Sequence, residues 1–411
     1  MDPTMLERVL GSGIPYITLA IPFFFALIGA EAAICAAYGL PYYRLHDSIS
    51  DLACGVADQV VGLFLKTAVF AGYLACYAFV TSRGLNLLDV DAYGPAGQWA
   101  AAITLFLGVD FAYYWFHRIA HEWNAPWAGH VVHHSSEEYN LTVALRQGAL
   151  QSVFSWVFYL PLALLGFPPL WFLAMSAFDT LYQFWIHTRI ISHLGPLERA
   201  LNTPSHHRVH HASNPQYLDR NYAGALIIWD RMFGTFEPEV EEPVYGLTKP
   251  LNSWNPIWAN LHVWADLWRD LRRAPRWLDG LRVWIAPQGW RPRGLPPAPP
   301  APHVDAATAV RYDVRPGRAV TIYVVAQFVL TLAFAVFVLI AAADPPHGDR
   351  LLPAIVFILW SLSNVAGLTE GRRWAMPSEI VRMTFVALLV AAWLTGPSAS
   401  AAGSRFPPGL P

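Results

Sequence analysis

Histidine is concentrated in one part of this sequence. Of its 15 histidines, 11 lie between His117 and His211, and most fall into the motifs HxxxH, HxxHH and HxxHH. The motif residues are His117 and His121, then His130, His133 and His134, then His207, His210 and His211. Side chains three or four residues apart on a helix share a face, so each motif can direct its imidazoles to one point. Three such faces would supply eight nitrogen ligands, and because a tetrahedral zinc site takes four, the count favours two metal ions.

These histidines could instead be ordinary helix residues that are hydrogen-bonded or exposed to water. An unpaired neutral polar group in an apolar setting costs about 1–3 kcal/mol, so eight unpaired imidazoles would cost on the order of 10–20 kcal/mol. That cost rivals the stability of a whole domain, roughly 5–15 kcal/mol. The imidazoles must therefore bind metal or be fully solvated, and three motifs in this order favour metal.

Other kinds of histidine site fit the sequence less well. The zinc-protease motif HExxH is absent, since His121 and Glu122 are followed by Trp123, Asn124 and Ala125. Haem ligation between membrane helices uses single histidines, whereas these occur in tandem. Soluble di-iron bundles use glutamate ligands in ExxH motifs, which the apolar runs lack. Imidazole suits zinc, copper, iron or nickel, so the ligand type alone leaves the metal open.

Two further histidines lie beside the motifs. His187 is predicted to be a ninth ligand. His206 is an additional candidate, although it adjoins His207 and points elsewhere on a helix. The loop residues Asn221, Tyr222 and Asp230 follow the third motif and are predicted to support its ligands, or else to form loop and cap structure.

Two carboxylates are the candidate catalytic residues. Asp110 lies seven residues before His117 in an apolar run, where an ionisable group is costly. It is predicted to accept the second N–H of a ligand histidine; the alternative is an interfacial carboxylate near the helix end. Glu122, next to His121, is predicted to orient a ligand or accept a proton, unless it is a solvated loop residue.

The composition is that of a membrane protein. Of 411 residues, 55% are hydrophobic and 14% are charged, against about 25% charged in an average soluble domain. Apolar runs reach the roughly 20 residues that a helix needs to cross a bilayer. They are Ile14–Leu40, Gly55–Val80, Ala100–Phe116, Leu150–Ile186 (long enough for two passes), Ala319–Ala343, Leu352–Leu368 and Val381–Leu394. Two ionisable residues in these runs, Glu31 and Lys66, are expected to line a lipid path or to lie near the interface.

Charge and cysteine content exclude other classes. The formal charge of −2 gives no indication of nucleic acid binding. Cys35, Cys54 and Cys76 lack the spacing of a disulfide framework or a CxxC site, so we interpret them as packing residues.

We divide the chain into four regions. Residues 1–98 form an N-terminal transmembrane section, 99–240 the catalytic region, 241–316 a Trp-, Arg- and Pro-rich segment, and 317–411 a C-terminal transmembrane module. The third region suits either a surface at the membrane interface or a packed cap over the site, and Gly294–His303 is predicted to be a linker. Arginine collects in the long polar segment from Arg189 to Arg293, so the positive-inside bias predicts that this segment and the active site are cytoplasmic. The excess of arginine over lysine favours a bacterial inner membrane.

The predicted fold is therefore all-α. It is a polytopic membrane helix bundle with a cytoplasmic helical cap that carries a histidine-rich di-metal site.

The motifs and the sequence between them resemble a known family. DFAYYWFHRIAH (110–121), HVVHH (130–134) and HRVHH (207–211) are similar to the signature of the fatty acid hydroxylase and sterol desaturase superfamily. Within it, residues 127–147, 182–188, 194–211 and 218–237 resemble the alkylglycerol monooxygenase branch. The resemblance covers roughly residues 15–260 and is densest over 110–237.

The resemblance implies two iron ions held by the motif histidines, and a membrane monooxygenase that uses O2. It implies hydroxylation of an ether lipid at the carbon next to the ether oxygen, after which the product falls apart to a fatty aldehyde and a glycerol. An external electron donor is expected, a role that tetrahydrobiopterin has in the animal members. The alternatives are a sterol desaturase or a fatty acid or carotenoid hydroxylase on the same scaffold, and a non-catalytic metal-binding membrane protein.

Overall fold

The computed structural model describes residues 16–395, apart from 298, 301, 303, 305, 308 and 343–347. These residues form fourteen α-helices: α1 (Tyr16–Tyr38), α2 (Leu45–Ser82), α3 (Pro95–Glu122), α4 (Asn124–His134), α5 (Ser152–Ser155), α6 (Leu160–Leu165), α7 (Pro169–Trp185), α8 (Pro204–His210), α9 (Ile228–Phe233), α10 (Pro256–Arg273), α11 (Trp277–Ile285), α12 (Arg318–Ala341), α13 (Gly348–Thr369) and α14 (Ala375–Thr395). The described part of the chain contains isolated β-bridges but no strand, which confirms the all-α prediction. The predicted linker at 294–303 lies partly outside the described residues.

Six helices are long and apolar enough to cross a membrane: α1, α2, α3, α12, α13 and α14. The prediction of an integral, multi-pass membrane protein is thereby confirmed. The run 150–186, expected to make two passes, instead folds into the shorter helices α5, α6 and α7, which are not in that set. Pro161 and Pro169 each open one of these helices and Gly166 ends α6 with a φ of 103°, because proline cannot continue a helix from the preceding turn.

The helices that carry the first two motifs follow each other directly. α3 ends at Glu122 and α4 begins at Asn124, while Trp123 between them is extended, so α4 folds back against α3. α4 is also in close contact with the segment that follows it. A Cβ on Gly148 would lie 1.9 Å from the Gly129 carbonyl oxygen, so only glycine allows this approach.

The third region covers α4. Ala259 of α10 packs with Val132 of α4, and Leu267 of α10 and Val283 of α11 pack against the same helix. The opposite faces of α10 and α11 expose Trp258, Trp268 and Trp277 among other residues. The segment therefore both covers the helix of the second motif and presents aromatic side chains outward. Its cytoplasmic location and the four region boundaries stay predictions.

The C-terminal module packs on α2 through apolar side chains. Val324 and Phe328 of α12 and Leu362 of α13 share a core with Val60 of α2. Within the module, the ion pair of Glu379 with Arg382, 2.5 Å apart, is bonded to side chains of two other helices. We call this set the C-terminal polar network: Tyr323 and Gln327 of α12, Ser361 and Asn364 of α13, and Glu379 and Arg382 of α14.

Candidate metal centre

Nine buried histidines form two groups. The five-histidine group contains His117, His121, His130, His134 and His210, and the four-histidine group contains His133, His187, His207 and His211. Within each group the candidate ligand nitrogens all lie within 4.8 Å of one another. The structure thus brings all eight motif histidines and His187 together, in two groups that could each hold a metal ion.

From the spacing we expected each motif to direct its imidazoles to one point. The two HxxHH motifs do not do so. In each HxxHH motif the two outer histidines, four residues apart, join one group and the middle histidine joins the other. In α4, His130 and His134 belong to the five-histidine group and His133 to the other. Successive helix residues are rotated by about 100°, so adjacent side chains diverge while those four apart stay aligned. Each HxxHH motif therefore contributes to both groups.

Oxygen acceptors fix two rings of the five-histidine group. His117 Nδ1 lies 2.7 Å from the Tyr222 carbonyl oxygen, and His130 Nδ1 lies 2.6 Å from Gln151 Oε1. Because these oxygens only accept hydrogen bonds, both Nδ1 atoms carry the proton and both Nε2 atoms present lone pairs. The two Nε2 atoms are 3.0 Å apart without a proton to share. A cation between them would remove this repulsion.

The same arrangement recurs in the four-histidine group. His133 Nδ1 lies 2.9 Å from the Arg146 carbonyl oxygen, and His187 Nδ1 lies 2.8 Å from the Gln183 carbonyl oxygen. The Nε2 atoms of the two rings are 3.3 Å apart, again with lone pairs facing each other. Both groups therefore have the donor arrangement of a metal site.

The nitrogen spacing also fits metal ions. Imidazole binds zinc at about 2.0–2.1 Å, and two nitrogens held at that distance at right angles lie about 3.0 Å apart. Nε2 atoms are 3.0 Å apart in His187 and His207, and 3.2 Å apart in His207 and His211. The residues present thus fit one ion in each group.

Burial keeps rings of both groups neutral. It lowers the pKa of His130 to about 3 and that of His187 to about 4. Only the neutral imidazole binds a metal, so these rings are in the ligating form at neutral pH.

Asp110 bonds to a loop, whereas a histidine contact was predicted. Its carboxylate accepts the backbone N–H of Ala225 at 2.7 Å, that of Leu226 at 3.2 Å, and the indole N–H of Trp229 at 2.7 Å. Seven residues separate Asp110 from His117, which is about 10 Å along a helix, so the carboxylate shares the face of His117 but lies too far along it. A Cβ on Gly224 would come within 2.8 Å of Asp110 Oδ1, which shows how closely this loop approaches α3.

That loop, residues 219–230, positions carbonyl groups on the ligands. Asn221 has a φ of 55°, a region that asparagine tolerates, and Asp230 accepts the backbone N–H of Tyr222 and Ala223 at 2.8 Å each. This conformation directs the Tyr222 carbonyl to His117. Support of the third motif was predicted for Asn221, Tyr222 and Asp230, but Tyr222 contacts His117 of the first motif, and the carbonyl next to the third motif is that of Arg220, 2.9 Å from His210 Nδ1.

Two candidates lie outside both groups. The Glu122 carboxylate is paired with Arg118 at 2.8 Å and is 40% exposed. His206 is buried, but its Nε2 lies 3.9 Å from Glu198 and it belongs to neither group. His193, on the surface, is 3.1 Å from the same Glu198 carboxylate. His206 is turned away because it directly precedes His207 on α8.

Sequence reasoning missed two residues that orient candidate ligands, one in each histidine group. Arg146, whose carbonyl accepts from His133, is buried and paired with Asp51 of α2 at 3.1 Å. An opposite-charge pair among apolar residues is a signal that could have indicated it. Gln151, which bonds to His130, lies in a segment where sequence gives no such signal.

Glu31 is a structural anchor near the same group. Its carboxylate accepts from the Leu141 backbone at 2.8 Å, from Tyr43 at 2.5 Å and from Thr188. Because Thr188 follows His187 directly, Glu31 holds the chain beside this ligand. Glu31 is not among the residues that line the cavity described next.

A cavity of about 430 Å³ lies between α1, α2, α3, α7 and α12 and reaches His133 and His187. Most of its lining is apolar, and Phe24, Val109 and Phe172 are typical. Lys66 lines it as well, paired with Asp58 at 2.8 Å. An apolar cavity that reaches two candidate metal ligands can hold a hydrocarbon chain next to the candidate metal centre.

Comparison with known proteins decides the family. Residues 102–235, which contain all nine histidines, match the fatty acid hydroxylase family. The chain is 41% identical over 379 residues to alkylglycerol monooxygenase from Homo sapiens, an alignment that covers 91% of this chain and 82% of the human protein. The chain belongs to the alkylglycerol monooxygenase family. The resemblance seen in the motifs is thereby confirmed, and the chain is an oxidoreductase of the fatty acid hydroxylase type.

Two further relatives match the chain at lower identity. The family member from Xenopus tropicalis is 39% identical, over 89% of this chain and 80% of its own length. An ornithine lipid hydroxylase from Rhizobium tropici is 33% identical over 143 residues, 34% of this chain and 43% of that protein. No solved structure matches the chain. The C-terminal module lies outside the fatty acid hydroxylase match.

Proposed function

We propose that the chain is a di-iron monooxygenase that hydroxylates an ether lipid at the carbon next to the ether oxygen. The observation that carries this proposal is the apolar cavity that ends at His133 and His187. The substrate class is supported by the alkylglycerol monooxygenases that match most of the chain. The nine grouped histidines would be the ligands of the two ions, and His206 is not one of them.

The reaction balances with O2 and two electrons. One oxygen atom enters a C–H bond of the R–CH2–O–R′ ether and the other leaves as water with two protons. The resulting hemiacetal breaks its C–O bond to give a fatty aldehyde and a glycerol. The two iron ions, when bound, would supply the reductive activation of O2.

The chain's own residues would position the lipid and keep water out. The apolar lining around Phe24 and Phe172 would hold the alkyl chain, and removing it from water favours binding. Asp110 would act through the 219–230 loop as a positioning residue for His117. Glu122, beside His121, stays a prediction as a proton acceptor.

We further propose a tetrahydropterin as the external reductant and a cytoplasmic active site. The arginine-rich helices α10 and α11 pack over α4, so the positive-inside bias supports placing this end of the bundle in the cytoplasm. A bacterial inner membrane stays a prediction from composition.

The test is lipid product analysis of membranes that contain the full chain, with and without a tetrahydropterin. We expect fatty aldehyde from an alkylglycerol only when O2 and the reductant are both present. Sterol and fatty acid substrates with a ferredoxin or cytochrome donor form the second arm. Products from that arm alone would overturn the ether-lipid assignment, and bound metal without O2 consumption on any lipid would overturn the enzyme assignment.

A further inference from the structure

The cavity extends along most of α7. α7 runs toward the centre and ends at Trp185, two residues before His187. Phe172, near the start of α7, and Phe184, near its end, both line the cavity, so the lining extends about 18 Å along this helix. One leaflet of a bilayer core is about 15 Å thick. The lining of α7 is therefore longer than the hydrocarbon core of one leaflet is thick.

α12 contributes only to the distal part. The segment that precedes α12 is bonded next to the centre: Tyr312 N–H donates to Glu137, three residues after His134, at 2.5 Å. From there α12 runs away along α2. Its cavity-lining residues begin at Leu332, about 21 Å along the helix from Arg318. They are Leu332, Ala335, Val336 and Leu339.

Two of the helices that line the cavity, α2 and α12, are tied to their neighbours by hydrogen bonds. Tyr73 of α2 stacks on Phe172 with ring centroids 4.2 Å apart, and its hydroxyl donates to the Phe167 carbonyl at 3.0 Å. On the other side, α12 is joined to α13 and α14 by the C-terminal polar network, through Tyr323 and Gln327. Both bonded residues of α12 precede Leu332, so the network fixes the part of the helix from which the cavity-lining residues extend.

We propose that α12 determines the length of the hydrocarbon chain that the enzyme accepts, with Val336 and Leu339 as the specificity-determining residues. This inference rests on the proposed function, because it assumes that the cavity holds the alkyl chain of the substrate. It gives the C-terminal module, which the fatty acid hydroxylase match does not include, a direct role in substrate selection. Each methylene of the substrate that a shortened cavity can no longer bury weakens binding about fourfold.

The test uses paired substrates in one reaction. Membranes that contain the full holoenzyme receive octadecylglycerol and dodecylglycerol together, and the ratio of the two aldehydes is measured, which cancels differences in protein amount and metal loading. Val336→Phe should lower the octadecyl-to-dodecyl ratio about tenfold or more. Leu339→Ala should raise it. Val329→Phe is the matched control, because Val329 is 54% exposed on the same helix and does not line the cavity.

An unchanged ratio in Val336→Phe, or an equal change in Val329→Phe, would overturn the proposal. A second measurement does not depend on turnover. Alkylglycerols with a photoreactive diazirine at the chain end should label residues 332–339, whereas a diazirine next to the glycerol should label elsewhere. If wild type cleaves no ether lipid but the terminal probe labels α12, the proposed function fails, while the placement of the chain end against α12 stands. Terminal probes that leave α12 unlabelled would overturn the proposal that α12 determines chain length.

Discussion

The histidine groups and the C-terminal polar network both bury polar side chains inside a helix bundle, and they satisfy them differently. In the network, Arg382 donates to Glu379, Gln327 and Ser361, and each acceptor is matched to a donor. In the histidine groups, Nε2 lone pairs of His117 and His130 face each other at 3.0 Å. The network is complete without a ligand, whereas a cation would satisfy the facing lone pairs of the histidine groups. Buried polarity therefore marks a site only where the donors and acceptors do not balance.

The largest effect that this difference predicts is the loss of a ligand. His207→Ala should remove one nitrogen from the four-histidine group, so that metal content falls from two ions per chain to one or fewer and aldehyde production falls to background. Elemental analysis of the purified protein in detergent gives the metal count. Retention of two ions by His207→Ala would contradict the ligand assignment.

Substitutions in the C-terminal polar network should lower the stability of the protein without changing its metal content. Arg382→Leu leaves the Glu379 carboxylate, which is 5% exposed, buried without its partner, which typically costs about 3–5 kcal/mol. The double variant Glu379→Leu/Arg382→Leu should recover most of this loss, because it leaves no unpaired charge. Thermal unfolding in detergent measures both.

In this experiment metal content serves as the control. We expect two ions per chain in the folded fraction of both variants. Loss of metal from the double variant at unchanged stability would show that the network serves the centre, and the contrast between the two regions would fail.

Asp110 combines features of the two regions. It is fully bonded, like the network, but it acts on the loop whose Tyr222 carbonyl orients His117. Supporting groups of this kind typically change metal affinity about 10- to 100-fold, so Asp110→Ala should weaken metal binding by that factor. Competition with a chelator measures it. Asp110→Asn keeps an acceptor for the Ala225 N–H and should retain more affinity than alanine; equal losses in both would argue against the loop contact.

Much of the fold and of the site follows from local sequence. The six spans follow from apolar length, although the same criterion wrongly gave two passes over 150–186. The grouping of the eight motif histidines with His187 was also predicted. Each HxxHH motif is divided between the two histidine groups because adjacent helix residues, such as His133 and His134, point in different directions. The contacts of Asp110 could not be predicted, because they depend on where the 219–230 loop returns to α3. Neither could the cavity wall from α12, which lies more than 100 residues after the third motif in the chain.

The smallest effect is expected at His206, the histidine that the site leaves out. Its ring packs against Phe236 with centroids 5.3 Å apart, and its Nδ1 atom is buried without a hydrogen-bond partner among the described residues. His206→Ala should therefore cost about 1 kcal/mol of stability, as an ordinary buried substitution does, and should keep both metal ions. Because it differs from His207→Ala by one position on α8, the pair separates burial from ligation. Loss of an ion from His206→Ala would mean that α8 as a whole, rather than individual lone pairs, determines metal binding.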